Sequence, residues 1–416
     1  MGENSSREGE YSRRQWLKVA AAAGAGSAAT IAAVAAKRHF FTDPNVPGAS
    51  FVTSQASDNL TAAEMMAKYP MPGPWPGKVV EIHNKRSVVQ GKNDRAVIRS
   101  MLDRGLCRLF ETDHSTEVWR KLFQPGDVVG IKVNPVGAPH VISSYEILLE
   151  CIEGLKSAGL KPNDILVFDR YEAEFLRAGY DKILPEGVRW EGSTKAPGDA
   201  SGGQLDIEGY DPDEFVTLNF CDPDNHDLKD ERIYRSHLSL IVSRKVNKII
   251  CLPCLKDHGS GGVTGCLKNM SHGFVNNVAR THAKHRHLNQ CGTFIPAVCS
   301  MPKIRQKVVL QILDGLRGVY EGGPFPGNWP IDPWYHHSLF VATDPVALDK
   351  VCWQLVNTKR AEKGLCKVEE AGKLNAKPGP TDNWDFRQPQ HIALAATLGL
   401  GYFDDQRVQH RREEMA

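Results

Sequence analysis

The segment Cys251-Leu-Pro-Cys-Leu-Lys-Asp-His-Gly-Ser-Gly-Gly-Val-Thr-Gly-Cys-Leu-Lys-Asn269 concentrates the side chains best suited to chemistry. It follows an apolar run and carries four glycines ahead of an expected helix start. Glycines let a backbone approach a ligand closely, and N–H groups at a helix start attract anions. Lys256 and Lys268 would neutralise charge there, and His258 would act as acid, base or ligand. Thr264, Gly265 and Asn269 would hold the bound molecule. The loop is not a Walker phosphate loop, because Gly265 is followed by Cys266 rather than by lysine. Its bland alternative is a surface loop with solvated lysines.

Further candidates stand where other strands should end. Lys132 and Asn134 close the run Asp127 to Val133; a lysine inside an apolar strand is costly to bury without a partner. Asp314 closes the run Lys307 to Leu313, where a carboxylate could hold a cation or orient a lysine. Asp344, just before Pro345, reads as a helix N-cap. Asp349, about a turn further on, could hold the cation or pair locally. His282, His285 and His287 invite a metal reading, with Cys291 and His258 as further ligands. Arg280, Lys284 and Arg286 interleave with them and oppose a metal ion; His282 is the best of the three. Cys251, Cys254 and Cys266 allow a metal or an iron–sulfur cluster. No second CxxC and no ferredoxin-type cysteine run occurs.

These residues need elements to position them. Strands are expected at Lys78 to His83, Asp127 to Val133, Asp164 to Phe168, Leu238 to Val242, Lys248 to Leu252, Lys307 to Leu313 and Ser338 to Ala342. Helices are expected at Asp94 to Arg104, Glu117 to Leu122, Ser143 to Ala158, Val346 to Leu355 and His391 to Leu398. Runs with two apolar faces suit central parallel strands. The alternation predicts an α/β fold: a mostly parallel, doubly wound sheet with helices on both faces and loop insertions. Gly187 to Tyr210 reads as a polar surface excursion, and Arg407 to Glu414 as a solvated helix end.

Taken in order, Ile131-Lys132-Val133-Asn134, Pro253 … Lys256-Asp257-His258 … Val263-Thr264-Gly265 … Lys268-Asn269, Asp314-Gly315 with Gly322-Gly323-Pro324, and Asp344-Pro345-Val346-Ala347-Leu348-Asp349 resemble the family catalogued as domain of unknown function 362. The likeness spans roughly Val79 to Gly401. It implies that Lys132, Asn134, Lys256, His258, Lys268, Asn269, Asp314, Asp344 and Asp349 matter, and it brings no settled activity. Some members add an iron–sulfur ferredoxin module, which this sequence lacks. At Cys251, Cys254 and Cys266 other small or apolar residues would be expected of the family.

Arg13 and Arg14 precede an uncharged, alanine-rich run from Val19 to Ala36, the pattern of a twin-arginine signal. The organisation that follows is a signal at 1–36, a Pro/Gly-rich linker at 37–77, one α/β domain at 78–401 and a polar tail at 402–416. The chain has 416 residues with 51 Lys and Arg against 49 Asp and Glu, a balance that excludes a nucleic-acid binder working by bulk charge. The sequence therefore predicts an exported, periplasmic or extracytoplasmic protein that meets the twin-arginine machinery. It meets a membrane only if the signal is uncleaved. Three activities remain open: an enzyme acting on an anionic or carbonyl-bearing small molecule with a divalent metal as one option, a non-catalytic binder of a small anion or metal, and a redox protein using the three cysteines.

Overall fold

A computed structural model describes residues 61–195, 204–218, 229–282, 289–371 and 387–416. The signal with Arg13 and Arg14, the linker up to residue 60, His285 and His287 lie outside the described residues. All that is described falls within one compact unit, Val52–Ala416.

Ten strands form one sheet: β1 (Lys78–His83), β2 (Val129–Lys132), β3 (Ile165–Tyr171), β4 (Arg189–Thr194), β5 (Lys248–Cys251), β6 (Cys254–His258), β7 (Gly262–Val263), β8 (Val308–Val319), β9 (Trp334–Ala342) and β10 (Gln409–Glu414). The order is β10-β1-β9-β8-β5-β2-β3-β4, with the β6–β7 hairpin branching from β8. Every neighbouring pair along that order is parallel except those made by β9, which runs antiparallel to β1 and β8.

Alternation along the strands separates two cores. Leu166, Phe168, Ile249, Cys251, Phe340 and Ala342 face one side. Ile165, Val167, Ile250, Leu339, Val341 and Ile131 face the other. A strand apolar on both faces must be covered twice. After α1 (Ala62–Lys68), helices α2 (Arg95–Phe110), α3 (Ser115–Leu122), α4 (Tyr145–Ser157) and α5 (Glu172–Arg177) supply the second core. Helices α6 (Gly265–Phe274), α7 (Cys291–Cys299), α8 (Pro302–Lys307), α9 (Pro345–Glu362) and α10 (His391–Thr397) supply the first. The expected doubly wound α/β architecture is therefore present. Among the described residues no helix is long and apolar enough to cross a membrane.

Five expectations need correction. Leu238 to Val242 is not a strand of the main sheet: Arg235–Ser239 pairs with Tyr210–Thr217 in a separate antiparallel ribbon, and Ile241–Lys245 turns helically. Ser338 to Ala342 belongs to the antiparallel β9, because it pairs on both sides with strands of opposite direction. Gly187 to Tyr210 contains the edge strand β4. Arg407 to Glu414 is no helix end, since Gln409–Glu414 adds to the sheet as β10. Side chains reinforce its pairing with β1: buried Glu81 accepts from His410 at 2.8 Å and Arg412 at 3.0 Å of β10, and from His336 at 3.1 Å and Ser338 at 2.6 Å of β9. The final part of the linker is structured too. It contains α1, and Met71 is buried against the first core.

Candidate active site

Lys132 ends β2 on the face that α6 covers, two residues on from Gly130, so period-2 alternation turns it inward. Gly273 of α6 makes the room: a Cβ there would stand 2.4 Å from Lys132 Cε. The ammonium donates to Asp169 Oδ1 at 2.5 Å, Val133 O at 2.6 Å and Asn269 Oδ1 at 3.2 Å. Lys132 thereby has the partner that a buried lysine requires.

From Asn269 the network runs on without ambiguity of direction. A lysine only donates, so the Asn269 oxygen faces Lys132. Asn134 Nδ2 donates to the same oxygen at 3.3 Å, and Asn134 Oδ1 accepts from Lys256 Nζ at 2.9 Å. Lys256 also donates to Val136 O. Its contacts are neutral oxygens, and burial pushes its pKa down. The chain Asp169–Lys132–Asn269–Asn134–Lys256 thus joins the carboxyl ends of β2 and β3, the hairpin strand β6 and helix α6. It leaves Asn269 Nδ2 without a partner, as it does the nearby Thr264 Oγ1, both at 4% exposure.

The neighbouring face of α6 carries Lys268 and, one turn later, His272. Lys268 is 8% exposed, and its Nζ has no hydrogen-bond or ion-pair partner among the described residues. Burial lowers its pKa to about 8. Around it stand His258, His282 and His272, with ring centroids 5.5 Å apart for the first pair and 5.0 Å for the last. Burial and then Lys268 push His258 and His272 well below the ordinary histidine range and His282 to about 3, so all three are neutral. His258 Nδ1 accepts from Ser260 N at 3.0 Å and Gly261 N at 2.9 Å. That fixes the tautomer with the proton on Nε2, which makes His258 a donor and no metal ligand.

The carboxylates expected to bind a cation are occupied otherwise. Asp349 accepts from Cys266 N at 2.5 Å and Leu267 N at 2.9 Å, so the anion at the start of α6 is part of the chain. Gly265 has φ 50°, and a Cβ on it would stand 2.2 Å from Asp349 Oδ1. Asp314 does not end its strand, because β8 continues to Val319 through Leu316. It accepts from Ser144 N at 2.8 Å, the Ser144 hydroxyl and Leu316 N at 2.9 Å. Burial raises the pKa of both acids, that of Asp349 to about 7. Asp344 is the expected N-cap, accepting from Val346 N and Ala347 N, both at 2.9 Å. Cys251, Cys254 and Cys266 are free, buried thiols; burial raises the first two to about 12. They do not form a ligand group among the described residues; the group that does is His272, His282 and Cys291, with ligand atoms within 4.8 Å of one another.

Sequence reasoning missed Asp169, His272 and His391. Asp169 directly follows the predicted strand Asp164 to Phe168, as Asn134 follows the strand Asp127 to Val133. His272 is four residues from Lys268. His391 gives no such signal; its Nδ1 meets Gln388 O at 2.9 Å, and its Nε2 is buried without a partner.

The family described as Domain of unknown function (DUF362) matches residues 129–354. The chain belongs to the DUF362 family. Its matched stretch begins with the strand that carries Lys132 and closes within α9, beyond Asp349. All the network residues of this DUF362 chain, and His258, Lys268, His272, His282 and Cys291, lie inside it. No curated protein matches the chain. Among solved structures, a Thermotoga maritima protein aligns at 13% identity with a TM-score of 0.35, over 64% of this chain and 59% of that one. The lactate racemase apoprotein from Thermoanaerobacterium thermosaccharolyticum aligns at 11% identity with a TM-score of 0.33, over 70% and 57%. The DUF362 chain spans less than two thirds of either.

Proposed function

We propose that this chain is an exported enzyme acting on an anionic or carbonyl-bearing small molecule. The observation that carries the reading is Lys268, an ammonium more than nine-tenths buried with no acceptor among the described residues. Unpartnered buried charge is costly, and a ligand oxygen would remove that cost. The other free groups here, the His258 Nε2–H, Asn269 Nδ2 and Thr264 Oγ1, can all donate, which suits an acceptor-rich ligand. With Lys268 near pKa 8, a protonated and a neutral amine are both within reach at neutral pH, as general acid–base chemistry requires. Arg13 and Arg14 with the alanine-rich run after them support export by the twin-arginine route, and a retained signal would tether the protein to the membrane.

The test uses Lys268→Met with small oxo carboxylates and phosphate monoesters as probes, titrated calorimetrically and followed by NMR for turnover. Wild type is expected to bind and convert at least one probe, and the variant none. Binding without turnover favours the non-catalytic anion binder, and unchanged binding by the variant refutes the site. The variant should also melt higher than wild type at neutral pH. That gap should narrow from about pH 8 to about pH 10, because the folded wild type releases the Lys268 proton before the unfolded chain does.

A further inference from the structure

Beyond that reading, and on different side chains, we infer that His272, His282 and Cys291 form a site for a borderline-soft divalent cation of the zinc class. The three offer ligand atoms within 4.8 Å of one another. They come from the last turn of α6, the segment after it and the first residue of α7, so they are widely spaced in the chain yet meet at one point. The Thr281 hydroxyl lies beside that point, 3.0 Å from His272 Nε2 and 3.9 Å from Cys291 Sγ. The hydroxyl donates to Val278 O at 2.7 Å, so its oxygen presents lone pairs to the same place. His282 Nδ1 faces the Val278 carbonyl, which can only accept, so its proton sits there and Nε2 is the nitrogen left to ligate.

The donor set decides the class of ion. Two imidazoles and a thiolate suit zinc(II) and its neighbours, whereas magnesium and calcium take oxygen ligands. Lys268 and Arg170 add positive charge nearby. That charge weakens the hold on any cation, so nitrogen and sulfur coordination must outweigh the repulsion, which oxygen-seeking ions could not achieve here. Arg280, which the sequence places beside His282, does not oppose the site: its guanidinium donates to Leu218 O at 2.8 Å and Ser236 Oγ at 3.0 Å. Ser271 Oγ at 3.1 Å from His272 Nδ1 and Val278 O at 3.3 Å from His282 Nδ1 orient the two rings, the part that outer-shell groups play at metal centres. His282 is partly exposed. Three protein ligands leave a fourth position open, the arrangement of a working rather than a purely structural zinc centre.

The full chain, reduced and stripped with a chelator, is titrated with cobalt(II), and with zinc(II) against a chromophoric chelator. One equivalent should bind, and cobalt should show a thiolate-to-metal charge-transfer band. Cys291→Ser should abolish that band, and His282→Gln should weaken zinc binding more than about tenfold. A band that survives Cys291→Ser, cobalt bound without any such band, or zinc affinity unchanged in His282→Gln each overturns the site. Should Cys291→Ser fail to fold, His282→Gln at the partly exposed position decides alone. Because Lys268 is no ligand, Lys268→Met separates failure of the metal site from failure of the anion site.

Discussion

Asp349 of α9 caps helix α6 from 83 and 82 positions away, one oxygen on Cys266 N and the other on Leu267 N. Burial raises this carboxyl to about 7, against about 3.9 for an unfolded aspartate. Between those values the folded state keeps a proton that the unfolded chain has lost, so stability falls as pH rises from about 4 to about 7 and is level above. Asp349→Asn should cost about 1–3 kcal/mol by placing an N–H donor against a backbone N–H. It should also flatten the fall with pH. Asp344, raised to about 6 by burial, keeps part of the slope. Melting curves across that range check this, and an unchanged slope in the variant rules it out.

Lys132 and Asp169 are a buried pair, with side chains 2% and 6% exposed. Removing either partner strands the other charge, so Lys132→Met and Asp169→Asn should each destabilise by about 3–5 kcal/mol. The double variant should cost clearly less than the sum. Denaturant unfolding of the four proteins measures the coupling. Additive losses would show that the contact contributes nothing as a pair.

Arg13→Lys combined with Arg14→Lys keeps the charge and removes the arginine pair. If the twin-arginine route reads that pair, the doubly substituted precursor should stay in the cytoplasm while wild type is exported. Cell fractionation reports the outcome, and normal export of the variant would dismiss the assignment.

Much of the polar network was legible before folding, because strand ends and a glycine loop are local signals. Lys132, Asn134, Lys256 and Asn269 were named from position alone, and the structure joins all four. The roles of Asp314 and Asp349 were not legible. In sequence Asp314 reads as a cation holder or a partner for lysine, and Asp349 as a cation holder or a local partner. Contacts from distant segments use them up, Ser144 together with nearby Leu316 in one case and Cys266 with Leu267 in the other. Lys268 reads in sequence as a charge-neutralising lysine at a helix start, with no sign of how deeply it is buried. It is buried because α6 is enclosed on every side, which no periodicity within ten residues announces. His282 and Cys291 are legible together as metal ligands, whereas His272, which joins them, gives no metal signal by its own position. The fold class was legible from alternating runs, but β9 and β10 were misjudged, since strand direction and edge pairing depend on partners far away in the chain.

The ionic latch on Glu81 also sets an order of events during synthesis. Glu81 and Arg412 are 331 residues apart, and β1 finds its parallel neighbour β10 only after nearly every other strand has been made. For that interval one side of β1 offers unpaired backbone groups to any passing strand. Closing so long a loop is entropically affordable but slow. A chain shortened before residue 409 would carry that open edge permanently, and its first symptom should be self-association rather than loss of the distant polar site.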